Sequence, residues 1–352
     1  MRTLIFIAVC IFVAFQASPA SGVEPFWTVR STGTDASLRG MCAVDDSTLW
    51  ACGSKSTVLR SIDGGTTWEQ CGPSGFDKLE FRSLQAFSDQ HAIICSAGTP
   101  AVILATEDGG KSWQEVYRRD EPNAFFDGLT FTKAGIGIAV SDPISDRLLI
   151  VRSLDRGKTW APIEDNAIPA MREGEAAFAA SNSALTVTST KSSRALLGTG
   201  GTEAANSRIY LSDDAGAHWR AALCPIPSGP ASGIFSIASG VHPSQDTDLV
   251  AAVGGDYRAD HHATVNAAYS TDGGESWKVA EVGPSAFRSA VIWQQPDRSA
   301  GRFIAVGPTG TDVSPDGKQW ATLDMTGFHA LAISPYGKLF AVGSDGRFGV
   351  AR

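Results

Sequence analysis

A short box recurs six times along this chain, and its spacing constrains the fold more than any other feature. The box has the pattern Ser/Thr-x-Asp-x-Gly-x-x-Trp, and the sixth copy lacks one residue between its aspartate and its tryptophan. The aspartates and tryptophans of the six copies are Asp63 and Trp68, Asp108 and Trp113, Asp155 and Trp160, Asp214 and Trp219, Asp272 and Trp277, and Asp316 and Trp320. Successive aspartates lie 45, 47, 59, 58 and 44 residues apart. A repeat of this length, filled with short apolar strands, is typical of a β-propeller.

The strands predicted within each unit indicate seven blades. The first unit has apolar segments at 38–44, 48–52, 58–61 and 68–71, and the second repeats them at 81–87, 92–96, 102–106 and 113–116. The last unit has only three, at 328–334, 338–342 and 348–352, while an extra strand at 26–30 precedes the first unit. We therefore predict an all-β, seven-bladed β-propeller of four-stranded blades. The N-terminal strand joins the last blade, which leaves no open sheet edge.

The first 22 residues have the features of a secretory signal peptide. Arg2 precedes an apolar stretch at 4–15 that is too short to span a bilayer, and small residues suited to cleavage follow it at 18–22. We expect cleavage after residue 20 or 22, leaving residues 23–352 as a single propeller domain. This domain is predicted to be secreted or periplasmic, with no membrane span in the mature chain.

Cysteine usage leaves two interpretations open. Five cysteines follow the signal peptide, at positions 42, 52, 71, 95 and 224, so at least one is unpaired. Cys42 and Cys52 are predicted on the two strands of one hairpin, where they could form a disulfide. The alternative is that both are small buried apolar residues. The chain has no Cys-x-x-Cys pair, so the sequence does not support a zinc or dithiol site.

The box itself is predicted to be a structural turn. Its carboxylate and hydroxyl can accept hydrogen bonds from backbone N–H groups of the turn, and its tryptophan can fill the space between sheets. No single box has enough oxygen ligands for calcium, and no cofactor is expected. The net charge of −8, from 29 basic and 37 acidic residues, argues against a nucleic-acid partner because phosphate binding requires clustered lysine and arginine.

The mouth of the central channel is the predicted binding face. It is surrounded by the starts of the inner strands and the ends of the second strands. Alignment of the inner strands gives a ring of seven residues, and two second-strand ends add three more. The ring consists of Arg39, Arg82, Asp127, Glu175, Phe235, Arg288 and His329, and the additions are Asp142, Asp256 and Tyr257. Several charges that converge on one concave mouth are typical of a ligand site.

Two further patterns at the mouth have alternative explanations. Asp256, Asp260, His261 and His262 are a weak candidate for a metal site, and the alternative is a solvated loop. Asp142, Glu175 and Asp256 are candidates for the two carboxylates of a glycosidase. Alternatively, such carboxylates pair with the arginines of the ring or face water.

The boxes resemble those of the BNR/Asp-box propellers, which include sialidases, other glycosidases, sortilin-like receptors and the photosystem II stability/assembly factor family. A sialidase is disfavoured because the chain has no Arg-Ile-Pro motif, and only Tyr257 among its five tyrosines is placed near the mouth. Seven units, a secretory signal and Arg39, Arg82 and Arg288 at inner-strand starts make the chain more similar to the photosystem II assembly factors and their secreted non-photosynthetic relatives.

That resemblance implies a non-enzymatic propeller that binds a protein partner through an arginine-bearing face. Asp127 and Glu175 interrupt the basic ring, which is a departure from a fully basic face. We predict a monomeric, secreted, assembly-factor-like propeller that binds a protein partner or a carbohydrate at the channel mouth. The alternative is a glycoside hydrolase whose acid and base come from Asp142, Glu175 and Asp256.

Overall fold

A computed structural model describes residues 24–241, 247–262, 265–295 and 300–352. The predicted signal peptide lies outside the described residues. The described strands form seven separate four-stranded sheets arranged as blades, which confirms the predicted seven-bladed propeller. In every blade the strands pair antiparallel. Blades 1 to 6 run from the innermost to the outermost strand in chain order.

Blades 1 to 4 contain strands β2 to β17. Blade 1 consists of β2 (Leu38–Ala43), β3 (Leu49–Gly53), β4 (Val58–Ser61) and β5 (Glu69–Gln70). Blade 2 consists of β6 (Phe81–Ala86), β7 (Ala92–Ser96), β8 (Ala101–Thr106) and β9 (Gln114–Arg119). Blade 3 consists of β10 (Phe126–Phe131), β11 (Gly137–Ile144), β12 (Arg147–Ser153) and β13 (Ala161–Pro162). Blade 4 consists of β14 (Leu185–Val187), β15 (Ala195–Gly198), β16 (Ser207–Ser212) and β17 (Arg220–Cys224).

Blades 5 to 7 complete the ring. Blade 5 consists of β18 (Ser232–Val241), β19 (Asp248–Asp256), β20 (Ala267–Ser270) and β21 (Lys278–Val279). Blade 6 consists of β22 (Ala290–Gln294), β23 (Arg302–Gly307), β24 (Gly310–Ser314) and β25 (Ala321–Asp324). Blade 7 consists of β26 (Ala330–Ile333), β27 (Leu339–Val342), β28 (Arg347–Ala351) and the N-terminal strand β1 (Trp27–Ser31).

The helices of the described residues are single 3-10 turns. They lie at Asp165–Ala167, Asn182–Ala184, Tyr257–Ala259 and Ser344–Gly346. In the described part of the chain, none of them has the length or apolar character needed to cross a membrane.

Pairing of the two ends of the chain closes the ring. β1 lies antiparallel to β28, with Trp27 opposite Ala351 and Ser31 opposite Arg347. The indole of Trp27 is 2% exposed, and its N–H donates to the Thr311 hydroxyl of blade 6 at 2.9 Å. The same ring packs against Phe328, with 5.1 Å between ring centroids. The closing strand therefore fixes blade 7 to blade 6 as well as completing its own sheet.

Each box forms the turn between the third and fourth strands of its blade, as the third copy illustrates. Ser153 ends β12, and its hydroxyl donates to Asp155 Oδ1 at 2.8 Å and accepts the Gly157 N–H at 2.7 Å. Asp155 also accepts the backbone N–H of Thr159 at 2.9 Å and its hydroxyl at 2.6 Å. These hydrogen bonds, led by the one from the Thr159 hydroxyl, lower the pKa of Asp155 to about 2. The carboxylate is thus already occupied within its own turn.

The shortened sixth box keeps the same turn with fewer bonds. Its serine, Ser314, accepts the Gly317 N–H at 2.9 Å, and Asp316 accepts the Lys318 N–H at 3.0 Å. The indole N–H of Trp320 still donates to the Gly317 carbonyl, as the equivalent tryptophans of the third, fourth and fifth boxes do to their own glycines. The loss of one residue therefore reduces the number of hydrogen bonds to the aspartate carboxylate, whereas the tryptophan keeps its hydrogen bond to the glycine carbonyl.

All five described cysteines are free thiols. On the first hairpin, Cys42 lies opposite Trp50 and Cys52 lies opposite Gly40, so the two thiols are not paired across the strands. Cys52 is fully buried in the apolar layer between blades 1 and 2. The structure thus favours unpaired packing residues over a disulfide, with Cys52 buried and Cys42 half-buried.

Blade 4 departs from the repeat at the channel axis. The sequence alignment starts its inner strand near residue 175, but β14 begins ten residues later, at Leu185. The intervening chain makes only an isolated bridge between Ala176 and Gly200. It then turns into the channel as residues 177–184, which we call the plug segment. Its alanine- and serine-rich sequence has small side chains that fit the crowded axis.

The plug segment is bonded to four other blades. The Asn182 side-chain amide donates to the Leu84 carbonyl at 2.9 Å, and its oxygen accepts the Leu129 N–H at 3.2 Å. The Ser181 hydroxyl donates to the Ser289 carbonyl at 2.9 Å. A further contact of 2.6 Å joins the hydroxyls of Ser183 and Ser236, in blade 5. These bonds satisfy polar groups on the axis and give the mouth a fixed floor.

Loss of the closing tryptophan is expected to destabilise the whole ring. We predict that Trp27→Ala lowers the free energy of unfolding by about 3–5 kcal/mol, because it removes a large buried side chain and its hydrogen bond. Val29→Ala on the same strand is the matched control, since Val29 is 48% exposed and its truncation should change stability by less than about 0.5 kcal/mol. Denaturant unfolding of both variants checks this. Equal effects would mean that strand pairing alone, without the indole, closes the ring.

Candidate ligand site at the channel mouth

Four inner strands carry a β-bulge at the same place, next to the mouth. The pairing register shifts between Leu38 and Gly40, between Phe81 and Ser83, between Phe126 and Gly128, and between Ile234 and Ser236. The residues at these bulges are Arg39, Arg82, Asp127 and Phe235, the central positions of the predicted ring. A bulge leaves one residue out of the ladder and redirects its side chain. In blades 6 and 7 the ring residue instead precedes the inner strand.

These side chains share a cavity of about 520 Å³ at the mouth, a volume typical of ligand sites. Charged and polar side chains from blades 1, 2, 3 and 7 form one part of its wall, and aromatic side chains form another. The polar part consists of Arg39, Arg82, Asp127, Asp142 and His329, and the aromatic part of Phe125, Phe178, Phe235, Tyr257 and Phe287. The mouth therefore combines charge and apolar surface in one concavity.

Five polar atoms of this wall are buried and have no hydrogen-bond partner within the described residues. They are Arg39 Nε, Arg82 Nε, Asp127 Oδ2, Asp142 Oδ1 and His329 Nδ1. Buried polar atoms of folded proteins are almost always hydrogen-bonded, because an unpaired one loses its hydration without compensation. Five such atoms around one cavity indicate that the wall is arranged for a polar ligand.

Arg39 and Arg82 differ in the hydrogen bonds and ion pairs that they already make within the protein. Arg82 donates to the plug segment at the Ala179 carbonyl and to Glu80 Oε2, both at 2.9 Å. Arg39 has no hydrogen bond or ion pair to any described residue. Burial, and then the charge of Arg82, lower the pKa of Arg39 from its ordinary value. Arginine side chains nevertheless stay protonated in proteins at neutral pH. Arg39 is thus the cation most available to an anionic ligand.

Asp127 and Asp142 form an acid pair on the blade 3 side of the cavity. Asp127 is 1% exposed, and the carboxyl of Asp142 lies close enough to affect its ionisation. Burial, then repulsion from Asp142, raise the pKa of Asp127 well above its usual range. Burial raises the pKa of Asp142 to about 6. Both carboxyls therefore keep their protons to higher pH than ordinary aspartates do.

His329 contributes a neutral ring. Its Nε2 lies 2.9 Å from the Ser344 hydroxyl, and its Nδ1 is the unpartnered atom. Burial, followed by the positive charges of Arg39, Arg347 and Arg82, lowers the pKa of His329 to about 3. The imidazole therefore offers one hydrogen-bonding nitrogen without adding charge to the cavity.

The aromatic wall is built on Phe235, the bulged residue of blade 5. Phe178 of the plug segment stacks on it with 4.0 Å between ring centroids and 10° between planes. Phe287 and Tyr257 meet it edge-on, at 4.7 and 6.1 Å. Tyr257 is 44% exposed and stands at the rim. This cluster is a rigid apolar surface against which part of a ligand can pack.

Two predicted ring residues do not line the cavity. Arg288 is fully buried, and its Nε donates to Asp312 Oδ2 at 2.6 Å while Nη1 donates to the Phe287 carbonyl at 2.8 Å. Glu175 is also buried and accepts bonds from Arg208 and from the Thr199 hydroxyl. Burial opposes ionisation of Glu175, but these bonds outweigh it and hold its pKa below the usual value. Both side chains are occupied by the scaffold, which corrects their assignment as ligand contacts.

The candidate glycosidase and metal residues are also dispersed. Asp256 accepts the Arg258 N–H at 2.8 Å and so caps a 3-10 turn, away from the cavity lining. Asp142 borders a shallow groove with Glu173 and Glu175, but Glu175 is held by Arg208. Among the described residues, no three metal-binding side chains come together. This result corrects the weak metal candidate of Asp256, Asp260, His261 and His262.

Sequence reasoning missed the acid pair and the plug segment. Asp127 and Asp142 were both assigned to the mouth, but nothing in the sequence indicates that they interact with each other. The plug segment does leave a signal, since residues 176–184 lack the alternation of apolar and polar residues that marks the other inner strands.

The acid pair makes stability depend on pH. The unfolded chain releases both protons near pH 4, whereas in the folded protein Asp142 keeps its proton to about pH 6 and the pKa of Asp127 is raised well above its usual range. The folded pair binds more protons in between, so its contribution to the free energy of unfolding falls as pH rises from 4 to 6, while the lowered pKa of His329 contributes in the opposite direction. We predict that Asp142→Asn flattens this decline and is more stable than the wild type at pH 7.5, by on the order of 2 kcal/mol.

Denaturant unfolding across pH 4 to 8 measures this effect. Asp89→Asn is the matched control, because Asp89 is exposed on the loop between β6 and β7, at the opposite end of the inner strand from the mouth. The control should keep the pH dependence of the wild type. An Asp142→Asn profile that runs parallel to that of the wild type between pH 4 and 6 would contradict the raised pKa of Asp142.

The chain was compared with known families and structures. Residues 20–192 match the family model described as Photosynthesis system II assembly factor YCF48. Residues 268–279, which contain the fifth box, match the BNR/Asp-box repeat. No curated protein matches the sequence. The resemblance predicted from the boxes and the unit count is thereby confirmed.

Solved structures share the fold at low sequence identity. The structure of YCF48 bound to D1 peptide is 17% identical, with a TM-score of 0.60 over 95% of this chain and 99% of that one. YCF48 from Cyanidioschyzon merolae is 15% identical, with a TM-score of 0.61 over 93% and 98%. A GH74 xyloglucanase from Xanthomonas campestris is 16% identical, with a TM-score of 0.60 over 92% of this chain and 53% of that one. These similarities support the fold and leave the function to the site.

Proposed function

We propose that this BNR/Asp-box propeller, which resembles the photosystem II assembly factors, is a non-enzymatic binding protein. Its mouth cavity takes a carboxylate-bearing segment of a partner protein. The observation that carries the proposal is the free guanidinium of Arg39, which lines the cavity without an ion pair to any described residue. A similar propeller, YCF48, has been solved with a D1 peptide, which is consistent with a peptide ligand here.

The chemistry of the wall favours binding over catalysis. A glycosidase requires an acid and a second carboxylate separated by about 5–10 Å, so that the sugar lies between them. Asp127 and Asp142 instead lie close enough to affect each other's ionisation, and Glu175 is bonded to Arg208. The aromatic wall supplies contact area for an apolar side chain next to the carboxylate. The predicted signal peptide supports a secreted or periplasmic site of action.

Peptide binding tests the proposal directly. We expect the purified mature protein to bind an array of random octapeptides with a preference for Asp, Glu or a free C-terminal carboxylate. Each peptide is made with a free C terminus and as the amide, which separates side-chain from C-terminal recognition. Arg39→Gln should weaken the carboxylate-bearing peptides at least about tenfold, because it removes a charged hydrogen-bond donor from a partly buried site.

Arg30→Gln is the matched control. Arg30 is exposed on β1, the outermost strand of blade 7. It should bind the array as the wild type does, and both variants should unfold at the wild-type temperature. Arg39 is a better target than Arg82, since Arg82 also holds the plug segment. A wild type with no preference for carboxylates, or an Arg39→Gln variant that binds normally, would refute the proposed function.

A further inference from the structure

The acid pair poses a problem that an anion-binding site alone does not explain. Asp127 Oδ2 and Asp142 Oδ1 are buried beside the cavity and accept no hydrogen bond from the described residues. A second negative group in an anion site weakens the binding of a carboxylate by repulsion. Neither nearby arginine forms an ion pair with these aspartates, because the ion pair of Arg82 is with Glu80 and Arg39 has no carboxylate partner among the described residues. The charge of Arg82 favours the ionised form of Asp127 but does not outweigh its burial.

We propose that the mouth site is bipolar and that the bound segment carries a basic group close to its carboxylate. Arg39 receives the carboxylate, and the Asp127–Asp142 pair receives a lysine, an arginine or an N-terminal ammonium. This inference rests on the proposed function and adds the second half of the ligand. Asp127 and Asp142 both line the cavity and have carboxyl oxygens that receive no hydrogen bond from the described residues. Such carboxylates are suited to a cationic donor, because charge-assisted hydrogen bonds are among the strongest in proteins.

A metal ion is a poorer occupant of the same place. Calcium takes six to eight oxygen ligands, and magnesium needs near-ideal octahedral geometry. The described residues hold no cluster of three or more metal-binding side chains here or elsewhere. The two aspartates therefore lack the further ligands that an ion would require, whereas an ammonium or guanidinium needs only one or two acceptors.

The positions of the groups define the arrangement of the ligand. Arg39 is on blade 1 and Asp127 is on blade 3, with Arg82 of blade 2 between them. The two charges of the ligand therefore bind on either side of Arg82. The aromatic wall around Phe235 is left for apolar parts of the segment, such as the methylene stem of a lysine.

The octapeptide array tests the inference when it is sorted by the presence of Lys or Arg within three residues of the carboxylate. We expect wild-type protein to bind peptides with both charges at least about tenfold more tightly than peptides with the carboxylate alone. The double variant Asp127→Asn/Asp142→Asn removes both carboxyl groups and with them any negative charge of the pair. It should abolish this ratio while keeping the preference for carboxylates.

Two controls separate the arms of the site. Arg39→Gln should weaken both classes of peptide, and Asp89→Asn should bind both as the wild type does. The single variant Asp142→Asn, which changes the half-buried member of the pair, provides a second measurement if the double variant does not fold. It should reduce the ratio without removing the carboxylate preference.

The outcomes distinguish the two proposals. A carboxylate preference without a preference for the basic group would overturn the bipolar site and leave the binding function intact. A preference for the basic group that survives in the double variant would also overturn it, because the aspartates would not be its cause. The loss of any carboxylate preference in the wild type would refute the binding function itself, and the bipolar site with it.

Discussion

Pairing of the chain ends in blade 7 is the contact on which the rest of the molecule depends. In a propeller each blade packs only against its neighbours, so an unclosed ring would expose apolar faces on two blades. One side of blade 7 packs Phe340 and Phe348 against Leu38 of blade 1. The other packs Trp27 and Phe328 against blade 6. Closure also creates the site, because it brings His329 of blade 7 beside Arg39 of blade 1.

The positions of the site residues are determined by a β-bulge that recurs in the inner strands of four blades. Bulges in blades 1, 2, 3 and 5 release one residue each from the inner ladder, and those residues are Arg39, Arg82, Asp127 and Phe235. The residue after the first bulge is Gly40, where an added Cβ would lie 2.8 Å from the Arg82 carbonyl oxygen. Neighbouring inner strands therefore approach each other closely next to this bulge. The chemical character of the mouth then depends on which residue type occupies the bulged position of each blade.

The sequence predicts the parts of this structure that repeat and misses those that occur once. Six boxes and the alternating apolar segments were enough to place the blades, the closing strand and the ring positions of Arg39, Arg82 and Asp127. Arg288 occupies an equivalent position, but its pairing with Asp312 depends on a residue 24 positions away on another strand, and no repeat signals it. The plug segment is likewise a single insertion, held by contacts with four blades that local patterns do not encode.

Arginine and aspartate have a structural role at one place near the mouth and a proposed binding role at another. The two places differ in whether the polar atoms of these side chains already have hydrogen-bond partners. Arg288 and Asp312 are both fully buried, and the guanidinium is satisfied by the carboxylate, a carbonyl and two hydroxyls. This fully hydrogen-bonded ion pair stabilises the start of a strand, and its guanidinium is not available to bind a ligand. Arg39, Asp127 and Asp142 instead each have a buried polar atom without a partner among the described residues, which lowers the stability of the ligand-free fold. A bound segment with complementary charges would recover that free energy, so the unsatisfied groups are where the binding energy of this propeller is concentrated.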